Sequence, residues 1–191
     1  VARTLPPMNG PAAATDDELM RDWCAGDVRA FEQLYARHKG PLYRFVLRQL
    51  RDSATTDEIF QDVWQRVIAA RESWRPDAAF STWLYRIAHN RLNDHWRAAK
   101  HRPAAPADAE ARLEALADPE SPERTLSDFE QRRRLRMALD ELPPEQREVV
   151  LLRLEQELTL EQIGDITGAG RETVKSRLRY AMDKLRARLS T

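Results

Sequence analysis

Residues 159–186 read TLEQIGDITGAGRETVKSRLRYAMDKLR, and this stretch decides the fold of the C-terminal part. Thr159 and Gln162 have the spacing of a capping box, in which each side chain satisfies an orphan backbone N–H of the other. Glu161 adds an acid to the first turn, where the helix dipole favours it. A short helix over Leu160–Ile166 follows, and Gly164 keeps it slim for a close approach. Thr167-Gly168-Ala169-Gly170 is the turn, with Gly168 supplying the left-handed residue that ends the helix. A second helix runs from about Arg171 to Leu189. Its inward stripe is Val174, Leu178, Ala181 and Leu185, and its outward stripe is Arg171, Lys175, Ser176, Arg179 and Tyr180. Two such helices joined by a tight turn are a helix-turn-helix.

A helix of this diameter fits a DNA major groove, and its N-terminal residues are the ones that reach base edges. Lys175 and Arg179 can bond guanine or phosphates. Thr173 and Ser176 suit phosphate or ambiguous base contacts, and Glu172 can accept from cytosine N4. The plain alternative is an amphipathic helix with a solvated basic face.

The rest of the chain is consistent with an all-α protein. Of its 191 residues 42% are hydrophobic and 32% charged, and Ala, Leu, Arg and Glu dominate. No apolar stretch approaches the roughly 18–20 residues of a membrane span, and the N-terminus lacks an apolar core of the signal-peptide type. Residues 1–14 read as a Pro/Ala-rich tail. The single cysteine, Cys24, excludes an internal disulfide framework and reads as a small core residue beside Leu19, Met20 and Trp23. These features point to the cytoplasm.

Net charge is zero, but its distribution is uneven. Residues 83–103 carry Arg86, Arg91, Arg97, Lys100 and Arg102 against one acid, Asp94. Residues 104–130 carry eight acids against Arg112 and Arg124. Residues 171–188 carry seven basic residues against Glu172 and Asp183. Two basic surfaces separated by an acidic strap imply two nucleic-acid contacts.

Hydrophobic periodicity divides the chain further. Thr15 and Glu18 form a capping box at the first helix. A longer run after Gly26 carries Phe31, Leu34, Tyr35, Leu42, Phe45, Val46 and Leu50, with Gly40-Pro41 as a kink or a division. A helix from about Thr55 buries Ile59, Val63 and Val67. Another, over Phe80–Ala99, presents Phe80, Trp83, Leu84, Ile87, Ala88 and Leu92. Residues 101–127 are a Pro-rich acidic linker with room for a short helix over 108–117. From Asp128, Leu135, Ala138, Leu139 and Leu142 mark a helix ending at Pro143-Pro144, and Glu145–Glu157 form the next. The expected architecture is a tail (1–14), a first helical domain (15–100), a flexible acidic linker (101–127) and a helix-turn-helix domain (128–191).

With the stretch from Glu141 to Leu154 (ELPPEQREVVLLRL) before it, the helix-turn-helix resembles the sigma-4 domain of the extracytoplasmic-function (ECF, group 4) sigma factors of the sigma-70 family. FSTWLYRIAHNRLNDHWR (Phe80–Arg97) looks like that family's sigma-2 promoter-melting helix, and DEIFQDVWQRV (Asp57–Val67) like its polymerase-binding helix. The resemblance runs from Thr15 to Leu189. It implies a sigma factor that binds core RNA polymerase, reads the −35 and −10 promoter elements and opens the duplex. By position it assigns −35 contacts to Arg171, Glu172, Thr173, Lys175, Ser176, Arg179 and Tyr180. It places Asn90 against a flipped −10 base, with Trp74 beside that pocket and Arg86, Arg91, Arg97 and Lys100 on phosphates. Without the resemblance, Asn90 is an exposed polar residue and Trp74 a core aromatic; Trp83 and Trp96 read as core or half-core. The polymerase contact falls on Asp57, Glu58, Gln61, Asp62 and Trp64. An anti-sigma factor or a Ser/Thr kinase is a further candidate partner, and no cofactor, metal or catalytic group is called for.

Three departures from the family pattern stand out. Its usual Asp-Ala-Glu-Asp is here Thr55-Thr56-Asp57-Glu58. The plain account is a helix cap by Thr55 with Glu58, worth about 1 kcal/mol; the sharper one is a phosphorylation site at Thr55 or Thr56 that restores negative charge. Glu157 and Glu172 each replace a frequent glycine. Competing readings are a free-standing helix-turn-helix regulator and a polymerase-sequestering protein. The sigma-2-like stretches are superfluous for the first, and the basic outer helix face for the second.

Overall fold

The computed structural model describes residues 14–99 and 126–190, and among these every regular element is α-helical. Helix α1 (Asp16–Ala25) starts at the expected capping box: the Thr15 N–H donates to Glu18 Oε2 at 2.7 Å and the Glu18 N–H to Thr15 Oγ1 at 3.3 Å. It stops at Gly26, whose φ of 114° leaves the helical region. Helix α2 (Val28–Leu50) passes through Pro41 without dividing, and Leu34 and Leu42, one on each side, are both fully buried. Burial of both halves against one core outweighs the hydrogen bond that Pro41 cannot donate.

Helix α3 (Ser53–Ala69) begins earlier than expected, and its cap is not Thr55. Asp52 caps it, its carboxylate accepting from the Thr55 N–H at 2.8 Å. Capping at Asp52 adds a turn of helix, and the N–H groups that Thr55 would have capped then find intrahelical carbonyl partners instead. Ile59, Val63 and Val67 face inward as expected. Helix α4 (Phe80–Ala99) has the expected bounds. Its cap is tertiary: Asp17 Oδ1, on α1, accepts from the Phe80 N–H at 2.7 Å. Phe80, Leu84, Ala88 and Leu92 are buried, as is Tyr85, which the periodic reading omitted; Trp83 and Ile87 are only half-buried.

Helix α5 (Leu126–Asp140) leads into α6 (Pro144–Leu154), with Pro144 in the first turn, where its missing N–H costs nothing. Ala138, Leu139 and Leu142 are buried, but Leu135 is exposed. Helix α6 ends at Leu154 rather than Glu157. The Leu158 N–H returns to the Leu152 carbonyl at 3.2 Å around Glu157, whose φ is +54°. This is the left-handed turn that glycine makes without strain. Helices α7 (Leu160–Thr167) and α8 (Arg171–Leu189) complete the helix-turn-helix.

Cys24 is half-exposed rather than buried. The candidate helix over 108–117 lies outside the described residues. The two helical bodies lie against one another. One hydrophobic cluster contains Leu42, Phe45, Leu84 and Leu92 from the first and Val149, Leu152, Ile163 and Ile166 from the second. Helix α4 lies along α7, and α2 touches α6.

Candidate nucleic-acid and polymerase interfaces

The reading helix is set by its turn. The Thr159–Gln162 capping box is closed in both directions, at 2.8 and 3.2 Å. Gly168 takes φ +68°. A Cβ on Gly164 would lie 2.8 Å from the Ala169 carbonyl oxygen, so what approaches it closely is the turn's own backbone rather than a second helix. Val174, Ala181 and Leu185 are buried and Leu178 half-buried, which turns Arg171, Glu172, Thr173, Lys175, Arg179 and Tyr180 to solvent; Ser176 is half-buried at the edge.

The exposed face is wired internally. Arg171 Nε donates to Glu161 Oε1 at 2.5 Å, and that bond holds the Glu161 carboxyl below its ordinary pKa. Glu172 lies 3.4 Å from Arg171 and 3.8 Å from Lys175. Its carboxylate therefore touches two of the cations expected on DNA. The Arg179 guanidinium sits 5.0 Å from the Tyr180 ring centroid, a cation–π pair that restricts both.

On α4 the expected −10 residues divide. Asn90 and Arg97 are exposed, Arg97 lying 3.3 Å from Asp94. Arg91 is largely buried and paired with Asp62 of α3. Arg86 Nε donates to the Asp165 carbonyl of α7 at 3.1 Å. Lys100 lies outside the described residues. Trp74 does not line an open pocket: it is 8% exposed and belongs to the core, so the assignment to DNA is corrected to the core aromatic reading. Trp96 is half-buried against the same core.

The expected polymerase surface divides too. Glu58 and Gln61 are exposed on α3. Asp57 accepts from the Tyr43 hydroxyl at 2.7 Å, and Asp62 is held by Arg91. Trp64 is 5% exposed, edge-on to Phe31 and Tyr35, and cannot present its ring to a partner. The periodic reading missed this because Trp64 follows Val63 on a stripe wide enough to bury both. Thr56 is fully buried, its hydroxyl donating to the Asp52 carbonyl at 2.7 Å, so a kinase cannot reach it; Thr55 is half-buried.

These geometries meet the comparisons with known proteins. Residues 34–102 match the family model for Sigma-70 region 2, and residues 138–187 that for Sigma-70, region 4. RNA polymerase sigma factor CarQ of Myxococcus xanthus is 34% identical over 169 residues, spanning 88% of this chain and 92% of its own. The chain belongs to the extracytoplasmic-function sigma factors of the sigma-70 family. ECF RNA polymerase sigma factor SigM of Mycobacterium tuberculosis is also 34% identical, over 179 residues, covering 90% of this sigma factor and 83% of SigM. Among solved structures, CnrH in complex with the cytosolic domain of CnrY aligns with a TM-score of 0.66 at 27% identity, over 92% of this chain and 97% of that one. The sigma factor RpoE from Bartonella quintana, solved with the anti-sigma factor NepR, shares the fold at a TM-score of 0.67 and 20% identity, over 86% and 99% of the two chains. This sigma factor therefore directs RNA polymerase to promoters and starts transcription there. No helix among the described residues is long and apolar enough to cross a membrane.

Some residues that shape the sigma factor escaped the sequence reading. Arg147 and Glu148 on α6 are 6% and 4% exposed. Each lies one helical turn before a buried leucine, Leu151 and Leu152, and that spacing was the available signal. His89 and Asn93 on α4 complete the set: His89 Nδ1 lies 2.7 Å from Glu148 Oε1, and its Nε2 2.8 Å from Asn93 Nδ2.

Proposed function

We propose that the outer face of α8 reads the −35 element in the major groove, with Lys175 and Arg179 as principal contacts and Arg171, Thr173, Ser176 and Tyr180 around them. The observation that carries this is a basic helix face, exposed from its first turn and fixed by a closed capping box and a left-handed turn. Glu172 orders Arg171 and Lys175 rather than selecting a base itself. Asn90 and Arg97, on the open side of α4, receive the −10 strand, Asn90 by pairing with an unstacked base. Lys100 adds a phosphate contact, Arg86 braces α4 on α7 through the Asp165 carbonyl, and Arg91 braces α4 on α3. Glu58 and Gln61, with Asp57 and Asp62 beside them, form the polymerase-facing side of α3. The protein works in the cytoplasm, without a catalytic centre or cofactor of its own. An anti-sigma factor is the regulator that its structural neighbours make most natural. Thr55 is the only one of the two threonines that a kinase could approach.

Run-off transcription over a genomic promoter library, with purified protein and core polymerase, tests the assignment. Lys175→Ala and Arg179→Ala lower −35-dependent initiation while core binding persists; Asn90→Ala leaves duplex binding intact and impairs opening. A chain that binds core polymerase normally but initiates equally well with Lys175→Ala and Arg179→Ala together would overturn the −35 assignment.

A further inference from the structure

Arg171 opens α8, and its guanidinium is aimed by a residue of the helix before. Its Nε donates to Glu161 Oε1 at 2.5 Å. Glu161 is itself held at the start of α7. The bond from Arg171, its own backbone N–H and the Thr159 side chain keep its carboxyl below the ordinary pKa. A fixed carboxylate thus grips the inner nitrogen of the Arg171 fork. The outer nitrogens are less committed: Nη1 has a long contact of 3.4 Å with Glu172, and no described residue bonds Nη2.

This pair does not build the turn. The closed Thr159–Gln162 cap and the left-handed Gly168 do that. Both side chains are more than half exposed, and an ion pair in that setting adds little to folding. Glu161 is also costly on DNA. In a helix-turn-helix the first helix crosses the phosphate backbone, so a bare carboxylate at its N-terminus would be repelled. The other cations of α8 have no such brace from α7: Lys175 lies 3.8 Å from Glu172 of its own helix, Arg179 lies over Tyr180, and Arg177 turns to Glu145 at 2.7 Å. The consequence that remains is direction. With Nε occupied, Nη1 and Nη2 are left as an end-on pair of donors, and the weak Glu172 contact yields readily to a better acceptor. Guanine offers two acceptors, O6 and N7, on its major-groove edge, whereas adenine offers an acceptor and a donor. An end-on arginine fork therefore selects guanine.

We propose that Glu161 is a positioning residue for promoter reading: it fixes the Arg171 fork end-on to a guanine of the −35 element, so that the choice of one base pair depends on a side chain that touches no base. The inference rests on the assignment of α8 to the −35 element. Freed from Glu161, the guanidinium samples rotamers that reach phosphates as well as bases. Contact is then kept while discrimination is lost, because phosphate carries no sequence information.

The test uses holoenzyme made from core polymerase and the full chain, on promoters in which each −35 base pair is replaced in turn by the other three. Competitive binding and run-off transcription are read for the parent, Glu161→Ala, Glu161→Gln, Arg171→Ala and the double alanine variant. The parent should favour guanine at one base pair by about tenfold or more, the discrimination of one bidentate arginine. Arg171→Ala should abolish that preference. Glu161→Ala should reduce it at the same base pair to about two- to threefold, leaving the preferences elsewhere and the melting midpoint of the protein unchanged. Glu161→Gln keeps an oxygen that accepts from Nε and should retain most of the preference, which separates direction from charge. The double variant should be as unselective as Arg171→Ala yet bind more tightly than it, having no unpaired carboxylate before the phosphates. Three results would overturn the inference: an intact preference in Glu161→Ala, a relaxation at a base pair other than the one Arg171→Ala affects, or equal gains in affinity for every sequence in both Glu161 variants. Lys175→Ala with Arg179→Ala separates this inference from the assignment beneath it. If that pair weakens −35-dependent initiation while Glu161→Ala changes no preference, only the role of Glu161 falls; if neither has an effect, the −35 assignment falls with it.

Discussion

Glu157 holds its backbone at φ +54° in an exposed turn between α6 and α7, where a Cβ is crowded by its own carbonyl. Replacement by glycine relieves that strain and loosens the unfolded chain slightly, for a net gain of about 0.5–1 kcal/mol. A thermal melt should show Glu157→Gly unfolding a few degrees above the parent; a lower midpoint would mean the side chain makes a contact that outweighs the strain. Tyr85 is a second such position. Its ring stacks edge-on with Phe45 at 5.1 Å, while its buried hydroxyl has no hydrogen-bond partner among the described residues, and burial pushes its pKa well above the ordinary phenol value. Tyr85→Phe removes an unpaid polar group and keeps the ring, so denaturant titration should find stability equal or higher. Glu172 offers the corresponding test on DNA. If it only orders Arg171 and Lys175, Glu172→Gly will change −35 affinity without changing the preferred sequence in a binding selection; an altered consensus would show that Glu172 reads a base after all.

At the scale of the element, the helix-turn-helix depends on its first cap. Thr159→Ala deprives the Gln162 N–H of its acceptor and should cost about 1 kcal/mol, read as a lower melting midpoint. Because α7 positions α8 through the Gly168 turn, −35 affinity should fall in the same variant although Thr159 touches no DNA. A variant equally stable and equally tight would show the cap to be dispensable. Helix bounds and faces were largely legible in the sequence where a periodic stripe met local punctuation: Thr15, Thr159 and Gly168 all act as their spacing predicts. They were not legible where the decisive partner is remote in sequence. Asp17 caps α4 from 63 residues away, which no local pattern encodes. Aromatic packing with Phe31 and Tyr35, about thirty residues away, likewise drew Trp64 inside, whereas the Asp52 cap is local and the reading simply started the helix one turn late.

At the scale of the molecule, one core joins two domains that the sequence separates by an acidic strap. All five tryptophans lie at or before Trp96, so tryptophan fluorescence follows the first domain while far-ultraviolet circular dichroism follows both. Because the two bodies share one hydrophobic cluster, the two signals should unfold with a single shared midpoint in guanidinium; separated midpoints would mean the shared cluster contributes little. Composition, periodicity and caps were enough to predict the helical fold of the described residues and the basic face of α8, because each of these is written within a few turns of sequence. Family resemblance then named candidate residues for the promoter and polymerase contacts. Only the tertiary structure decided which of them are free to do so. Trp64, Trp74 and Thr56 are buried, Arg91 and Arg86 are engaged, and Arg147 and Glu148 bond across to the first helical body. Burial and pairing depend on what arrives from elsewhere in the chain, and a local pattern carries no record of that.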